Sequence, residues 1–228
     1  MTVRILFVPP FFCILEAPSP SGFEHVYYLF SLVAGYFIGS LPTAYLLVKW
    51  KARSDIRSAG SGNVGAMNAY DVTGSRTLGA AVMVIDMLKG VCAVTVALGF
   101  CGGENRCAGL AGIAAMVGHN YPVWLGFKGG RVLATGAGVM LMFGWLTIVI
   151  WCALWMVHYL IFKNIHMANI IASVVSPFVL LIIPRDVINA TSFAAGEDFY
   201  PLTISVFVLI LIKHGDYLRQ VFQSSTLM

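Results

Sequence analysis

Three polar clusters interrupt an otherwise apolar chain, and their residue types are those that handle anions. Residues 59–68 read AGSGNVGAMN and bring Gly60, Gly62 and Gly65 together with Ser61, Asn63 and Asn68. Glycines admit positive φ and close approach to the main chain, and successive N–H groups in such a turn form a concave nest for an anion. The serine and asparagines add donors and acceptors for a hydroxylated, phosphorylated small molecule. A tight turn packed against helices is the other reading, because the same residues serve most turns. The second cluster, GHNYPVWLGFKGGR at residues 118–131, opens with His119 and closes with Lys128, Gly129, Gly130 and Arg131. Two cations around a glycine pair, near a histidine able to act as a base, suit an anionic substrate, with phosphate the natural choice. A satisfied core histidine followed by a solvated charge cluster is the alternative. In the third cluster, VIDMLKG, Asp86 and Lys89 stand three apart on one helix face and can pair. Charges inside an apolar segment are costly and face a bundle interior or a wet cavity. A structural ion pair and a part in the chemistry both remain open.

Other chemistries find no footing. There is no GxxxxGK[ST], no GxGxxG after a strand and no metal-ligand cluster. His25, His158, His166 and His214 have no helix-spaced histidine or carboxylate partner. No histidine has an aspartate five residues on, so the HxxxxD arrangement of soluble-type glycerolipid acyltransferases is missing. Neither a metal nor a cofactor is expected.

The elements that position these clusters are membrane spans. The chain of 228 residues is 59% hydrophobic and only 11% charged, with a mean hydropathy of +0.84. Soluble domains carry about a quarter charged residues, and apolar runs of about 20 residues cross a bilayer. The sequence predicts an all-α polytopic membrane protein. Its net charge of +4 therefore speaks to orientation, and no nucleic-acid partner is expected. Cys13, Cys92, Cys101, Cys107 and Cys152 form no CxxC and read by default as buried, reduced thiols. Cys101 and Cys107 flank a short loop and can pair if that loop lies outside the cytoplasm.

Residues 1–25 form an N-terminal extension of uncertain role, and residues 26–228 read as a single membrane domain. The apolar run at 5–15 carries Pro9 and Pro10, which argues against a span. A cleaved signal with Arg4 as its basic end and an upstream start codon fit it equally. Residues 26–48 are the first span, broken by Gly39-Ser40-Leu41-Pro42, whose freed backbone groups need neighbouring helices. Spans follow at 80–100 and 108–127. Residues 132–162 hold no formal charge. As one helix at about 1.5 Å per residue they reach about 46 Å, against a hydrocarbon core of about 30 Å. They are therefore split near Gly144. With 165–184 and 199–212, about seven short transmembrane helices result.

Charge supports the split. Seven segments put Lys49, Lys51, Arg53, Arg57, Arg76, Lys128, Arg131, Lys163, Lys213 and Arg219 on one side, ten in all, against Arg4, Arg106 and Arg185 on the other. By the positive-inside rule the side with ten is cytoplasmic, and it carries the 59–68 loop and the 118–131 stretch.

Four motifs in order, GSLPTAYLL at 39–47, GSGNVGAMN at 60–68, DMLKG at 86–90 and GHNYPVWLGFKGG at 118–130, resemble the PlsY family of bacterial membrane glycerol-3-phosphate acyltransferases. The likeness is good over about residues 30–135 and rests on hydropathy beyond. It implies a multi-pass inner-membrane protein of seven spans with a site facing the cytoplasm. It also implies transfer of a fatty acyl group from acyl-phosphate to the 1-hydroxyl of glycerol 3-phosphate, giving lysophosphatidic acid without metal or coenzyme A. Ser61, Asn63 and Asn68 match the family's polar loop residues, His119 its motif histidine and Lys128 a phosphate-binding lysine. The likeness departs at Asp71, where the family carries an arginine that contacts phosphate. Arg76 follows five residues later. The family's GGKGVAT is GGRVLAT here, so Arg131 replaces a lysine and Val132 a glycine. The C-terminal motif has become HGDYLRQVFQSST from His214, with Tyr217 in the place of its asparagine.

An active acyltransferase with an altered phosphate cradle is the leading reading. On it, His119, Ser61, Asn63 and Asn68 carry the chemistry, and Gly60, Gly62, Gly65, Lys128, Gly129, Gly130 and Arg131 hold phosphate. A divergent, inactive member that binds lipid or a phosphorylated ligand is the alternative, as is a small-solute transporter using Asp86 and Lys89. No oligomeric state follows from the sequence.

Overall fold

The computed structural model describes residues 5–8, 12–15, 24–192 and 198–225, with side chains over 24–192 and 198–215. The expectation for Arg4 lies outside the described residues, and those for Cys13, Tyr217 and Arg219 lie outside the described side chains. A two-stranded antiparallel ladder joins β1 (Ile5–Val8) to β2 (Phe12–Leu15). Everything described beyond it is helix and connection. The chain groups into two compact units, Met1–Val139 and Met140–Met228.

In the first unit, α1 (Glu24–Ser40) and α2 (Thr43–Ala52) are the halves of the broken first span. The break is at Pro42, which has no N–H to donate into the helix. The Leu41 carbonyl turns aside to accept from Thr43 N at 2.9 Å and from Lys89 Nζ at 2.5 Å. The neighbouring helix that the break required is thus α4 (Arg76–Phe100). Before it, α3 (Ala66–Thr73) ends on Gly74 in the left-handed region, and Ser75 caps α4 by accepting from Leu78 N. α5 (Asn105–Asn120) returns antiparallel. It ends seven residues short of residue 127, the end expected for the span over 108–127, because Pro122 and Gly126 turn the chain back through one 3-10 turn at Val123–Leu125.

Backbone contact between small residues holds α1 to α5. A Cβ on Gly35 or Gly39 would overlap the carbonyls of Ala111 and Ala115, and one on Gly118 would meet Tyr36 O. Without a hydrophobic drive between helices in lipid, such close approach and its dispersion contacts are what bind them. Tyr36 Oη donates to Tyr121 O at 2.9 Å, and Trp124 Nε1 to Ser40 Oγ at 3.0 Å, fastening the turn after α5 to α1.

Between α4 and α5, Gly102 and Gly103 both take positive φ. The turn they make brings the Cα atoms of Cys101 and Cys107 to 6.4 Å, and the two form a disulfide. This corrects the expectation of reduced thiols for that pair. Cys92 and Cys152 are free but exposed on helix surfaces, not buried as expected.

In the second unit, α6 (Leu133–Phe143), within which the division falls, is separated from α7 (Trp145–Phe162) by Gly144 in extended conformation. The split of residues 132–162 lies where the sequence placed it. α8 (Ile165–Ile182) opens on Asn164, whose Oδ1 accepts from His166 N and Met167 N. A short α9 (Arg185–Thr191) precedes α10 (Phe199–Ser225), which runs well past residue 212. Trp155 Nε1 donates to Asn169 Oδ1 at 2.7 Å, and Asn169 Nδ2 stands 3.3 Å from His214 Nε2. Four helical stretches are long and apolar enough to cross a membrane, namely Glu24–Ala52, Arg76–Phe100, Trp145–Phe162 and Ile165–Ile182. Leu133–Phe143 and Phe199–Gly215 are shorter apolar helices.

Candidate active site

The 53–65 loop leaves α2 at Arg53, in the left-handed region, and is held from inside by one side chain. Asn68, 1% exposed, sits in the first turns of α3 with its amide pointing into the loop. Its Nδ2 lies 2.9–3.1 Å from the carbonyls of Ile56, Ala59 and Asn63, and its Oδ1 accepts from Ser61 N at 2.9 Å. Gly60 and Gly62 take positive φ, and a Cβ on Gly60 would strike Asn68 Oδ1. The glycines are therefore there to wrap the chain around Asn68. Ser61 N is engaged with Asn68 and Gly62 N with Ala59 O, so the anion nest expected of this main chain is not open at those two amides. What the loop leaves available is the Ser61 hydroxyl and the Asn63 side chain, neither hydrogen-bonded among the described residues. Asn68 is a staple, not a group facing substrate. Asn68→Ala strands three carbonyls and one amide, at about 1–3 kcal/mol for each group left unpaired. A fall in melting temperature in detergent, together with a loss of kcat/KM, is the expected result.

Beside the loop, Arg57 and Asp55 pair at 2.6 Å on the surface. The Arg57 hydrogen bonds hold the Asp55 carboxyl down to about 2, so the pair stays ionised and Arg57 is neutralised by its neighbour.

The second wall is the end of α5. His119, 8% exposed, is its last-turn base. The chain leaves, turns at Gly126, and comes back so that Gly129 N donates to Asn120 O and Gly130 N to His119 O, each at 3.1 Å. These amides are therefore closed to a phosphate, and the role expected of Gly129 and Gly130 changes. Their lack of side chains is what matters: a Cβ on Gly130 would overlap His119 Nε2 and come within 2.8 Å of Val64 O. Gly130 is thus where the 59–68 loop and the histidine meet. Lys128 is exposed just before it and Arg131 half-buried just after. Buried Val132 stands at φ 60, a region a β-branched residue enters only under strain.

The third wall is α4. Lys89 Nζ binds Asp86 Oδ1 at 2.7 Å, and the same oxygen lies 3.8 Å from His119 Nδ1. A small cleft of about 10 Å³ joins these groups, lined by Ser40, Thr43, Asp86, Lys89, His119 and Gly130 among others. The sequence singled out Asp86, Lys89, His119 and Gly130 separately. It did not place Ser40 and Thr43 here, although the Gly39–Pro42 break was their signal. Asp71 is exposed near the end of α3 and Arg76 is exposed in the first turn of α4. Among the described residues no group of His, Cys, Asp and Glu is arranged to hold a metal ion.

The family profile described as glycerol-3-phosphate acyltransferase matches residues 29–224. The chain belongs to that family. A glycerol-3-phosphate acyltransferase of Brucella anthropi is 42% identical over 159 residues, which is 70% of this chain and 77% of that protein. One of Mesorhizobium japonicum is 34% identical over 186 residues, 82% of this chain and 88% of that protein. The fold is similar to the crystal structure of PlsY (YgiH), an integral membrane glycerol 3-phosphate acyltransferase, in its glycerol 3-phosphate form. The TM-score is 0.69 at 25% identity, covering 86% of this chain and 92% of that one. The lysophosphatidic acid form gives 0.70. Membership of the glycerol-3-phosphate acyltransferase family makes this an enzyme family's membrane protein, and the cleft beside His119 is its candidate active site.

Proposed function

We propose that the chain transfers a fatty acyl group from acyl-phosphate to the 1-hydroxyl of sn-glycerol 3-phosphate, forming lysophosphatidic acid and phosphate. The observation that carries this reading is the meeting, at one cleft, of the buried His119, Val64 of the 59–68 loop and the Gly129–Gly130 pair, which Lys128 and Arg131 flank in sequence. The glycerol oxygen attacks the acyl carbonyl carbon, the carbonyl carbon–phosphate oxygen bond breaks, and phosphate leaves with the electron pair. The hydroxyl proton passes to a ring nitrogen of His119. A mixed anhydride has a good leaving group, so acid assistance is a small part of the task. The larger part is to bring two anions together, for which Lys128 and Arg131 supply positive charge. Ser61 and Asn63 orient the phosphate and hydroxyl. Neither the inactive-binder nor the transporter reading gains an observation of its own. Turnover of an acyl-phosphate by the purified chain tests the proposal.

The site faces the cytoplasm of the bacterial inner membrane on this reading. Disulfides persist in oxidising compartments, and Cys101–Cys107 lies at the far end of α5 from His119, about 18 Å away along the helix at 1.5 Å per residue. The ten-against-three charge distribution points the same way. Single cysteines at Ser58 and Asn105, in a background without native cysteines, are expected to react with an impermeant maleimide from opposite faces. Reaction of both from one face contradicts the orientation.

Asp71 bears on substrate binding. A carboxylate near the phosphate repels a dianion, so Asp71→Arg is expected to lower the KM for glycerol 3-phosphate by roughly threefold to tenfold, as suits an exposed charge. An unchanged or raised KM removes Asp71 from the phosphate's surroundings.

A further inference from the structure

Asp86 and Lys89 are 3% and 5% exposed on an apolar helix, and the chemistry above gives them no part. A buried ion pair contributes little net stability over a well-packed apolar pair of the same size, and intramembrane charges mark functional positions. The contacts show what this pair joins. Lys89 Nζ donates to Asp86 Oδ1 at 2.7 Å and to the Leu41 carbonyl at 2.5 Å. Asp86 Oδ1 also lies 3.8 Å from His119 Nδ1. Three elements therefore meet through one ammonium and one carboxylate: the break between α1 and α2, the middle of α4, and the last turn of α5. All of them line the cleft.

Resting on the acyltransfer reading, we propose that Asp86 and Lys89 are positioning residues for His119. Lys89 locks the freed carbonyl of the Leu41–Pro42 break to α4 and holds the Asp86 carboxylate. Asp86 sets the plane and charge environment of the imidazole from its Nδ1 side, while Gly130 closes against the Nε2 side. At 3.8 Å the carboxylate acts by charge, being beyond hydrogen-bond length. The helix break thereby becomes one side of the site, and Ser40 and Thr43 are carried to the cleft with it.

The test uses the full-length protein in detergent. Asp86→Asn or Lys89→Met alone leaves one buried charge uncompensated and is expected to melt early. The Asp86→Asn/Lys89→Met double variant removes both charges at nearly constant volume and is expected to fold. In that folded double variant kcat should fall by about 10²-fold, the scale of a misplaced catalytic group, with KM for glycerol 3-phosphate within about twofold. Introduced into a His119→Ala protein, the same pair of substitutions should lower kcat no further, because residues acting through one group are not additive. A folded double variant with wild-type kcat overturns the proposal, and so does a loss that multiplies with that of His119→Ala. A second readout does not depend on turnover. Carbethoxylation of His119 by diethyl pyrocarbonate, followed by mass spectrometry, should be severalfold faster in the double variant than in the parent. An unchanged rate overturns the positioning role even where the parent makes no lysophosphatidic acid, an outcome that by itself contradicts the acyltransfer reading.

Discussion

His119→Ala is expected to lower kcat for acyl transfer by about 10²–10⁴-fold, the range a positioned general base contributes, while KM for glycerol 3-phosphate stays within about threefold. The split follows from where the ring sits. His119 is almost wholly buried, with Asp86 on one side and Gly130 on the other. It is not among the exposed cations, so its removal takes away a proton acceptor and leaves the charge that draws the substrate. Lys128 is the contrasting residue, exposed at the mouth of the link. A folded His119→Ala protein that loses less than about threefold in kcat, far below the general-base range, removes histidine as the base. A phosphate oxygen of the substrate is then the proton acceptor.

The second large effect is on the bundle. Gly39→Leu is expected to prevent α1 from reaching α5, with a loss of about 3 kcal/mol or more and no monodisperse peak on gel filtration. A Cβ at that position already overlaps the carbonyl and Cα of Ala115, which are backbone atoms and cannot rotate away. The next residue, Ser40, accepts from Trp124 Nε1, and Leu41 is held by Lys89. Displacing α1 therefore undoes the cleft as well as the helix contact. A monodisperse, active Gly39→Leu protein contradicts this packing.

Much of this was legible in the sequence because membrane spans announce themselves by length and charge. The break at residues 39–42, the split at Gly144 and the polar loop around Asn68 each follow from a local rule about proline, bilayer thickness or glycine. The contacts made by Asn68 were not legible. An asparagine that staples a loop and one that orients a substrate look alike until its amide is seen among the carbonyls of Ile56, Ala59 and Asn63. The same holds for Gly129 and Gly130. Their amides return to Asn120 and His119, an arrangement set by the turn at Gly126 and not by the GG pair itself. The disulfide depended on compartment and on two left-handed glycines, neither of which the cysteine spacing encodes. The link from Lys89 to Leu41 joins residues 48 apart in sequence. Only the unmet carbonyl of the proline break hinted at it.

The account stands most directly on one assay. Purified protein in detergent is given glycerol 3-phosphate with an acyl-phosphate, or with the corresponding acyl-coenzyme A, and both products are measured. The expected result is lysophosphatidic acid and inorganic phosphate in equal amounts from the acyl-phosphate alone, without added metal. Absence of lysophosphatidic acid from folded protein, or its formation from acyl-coenzyme A but not acyl-phosphate, contradicts the account.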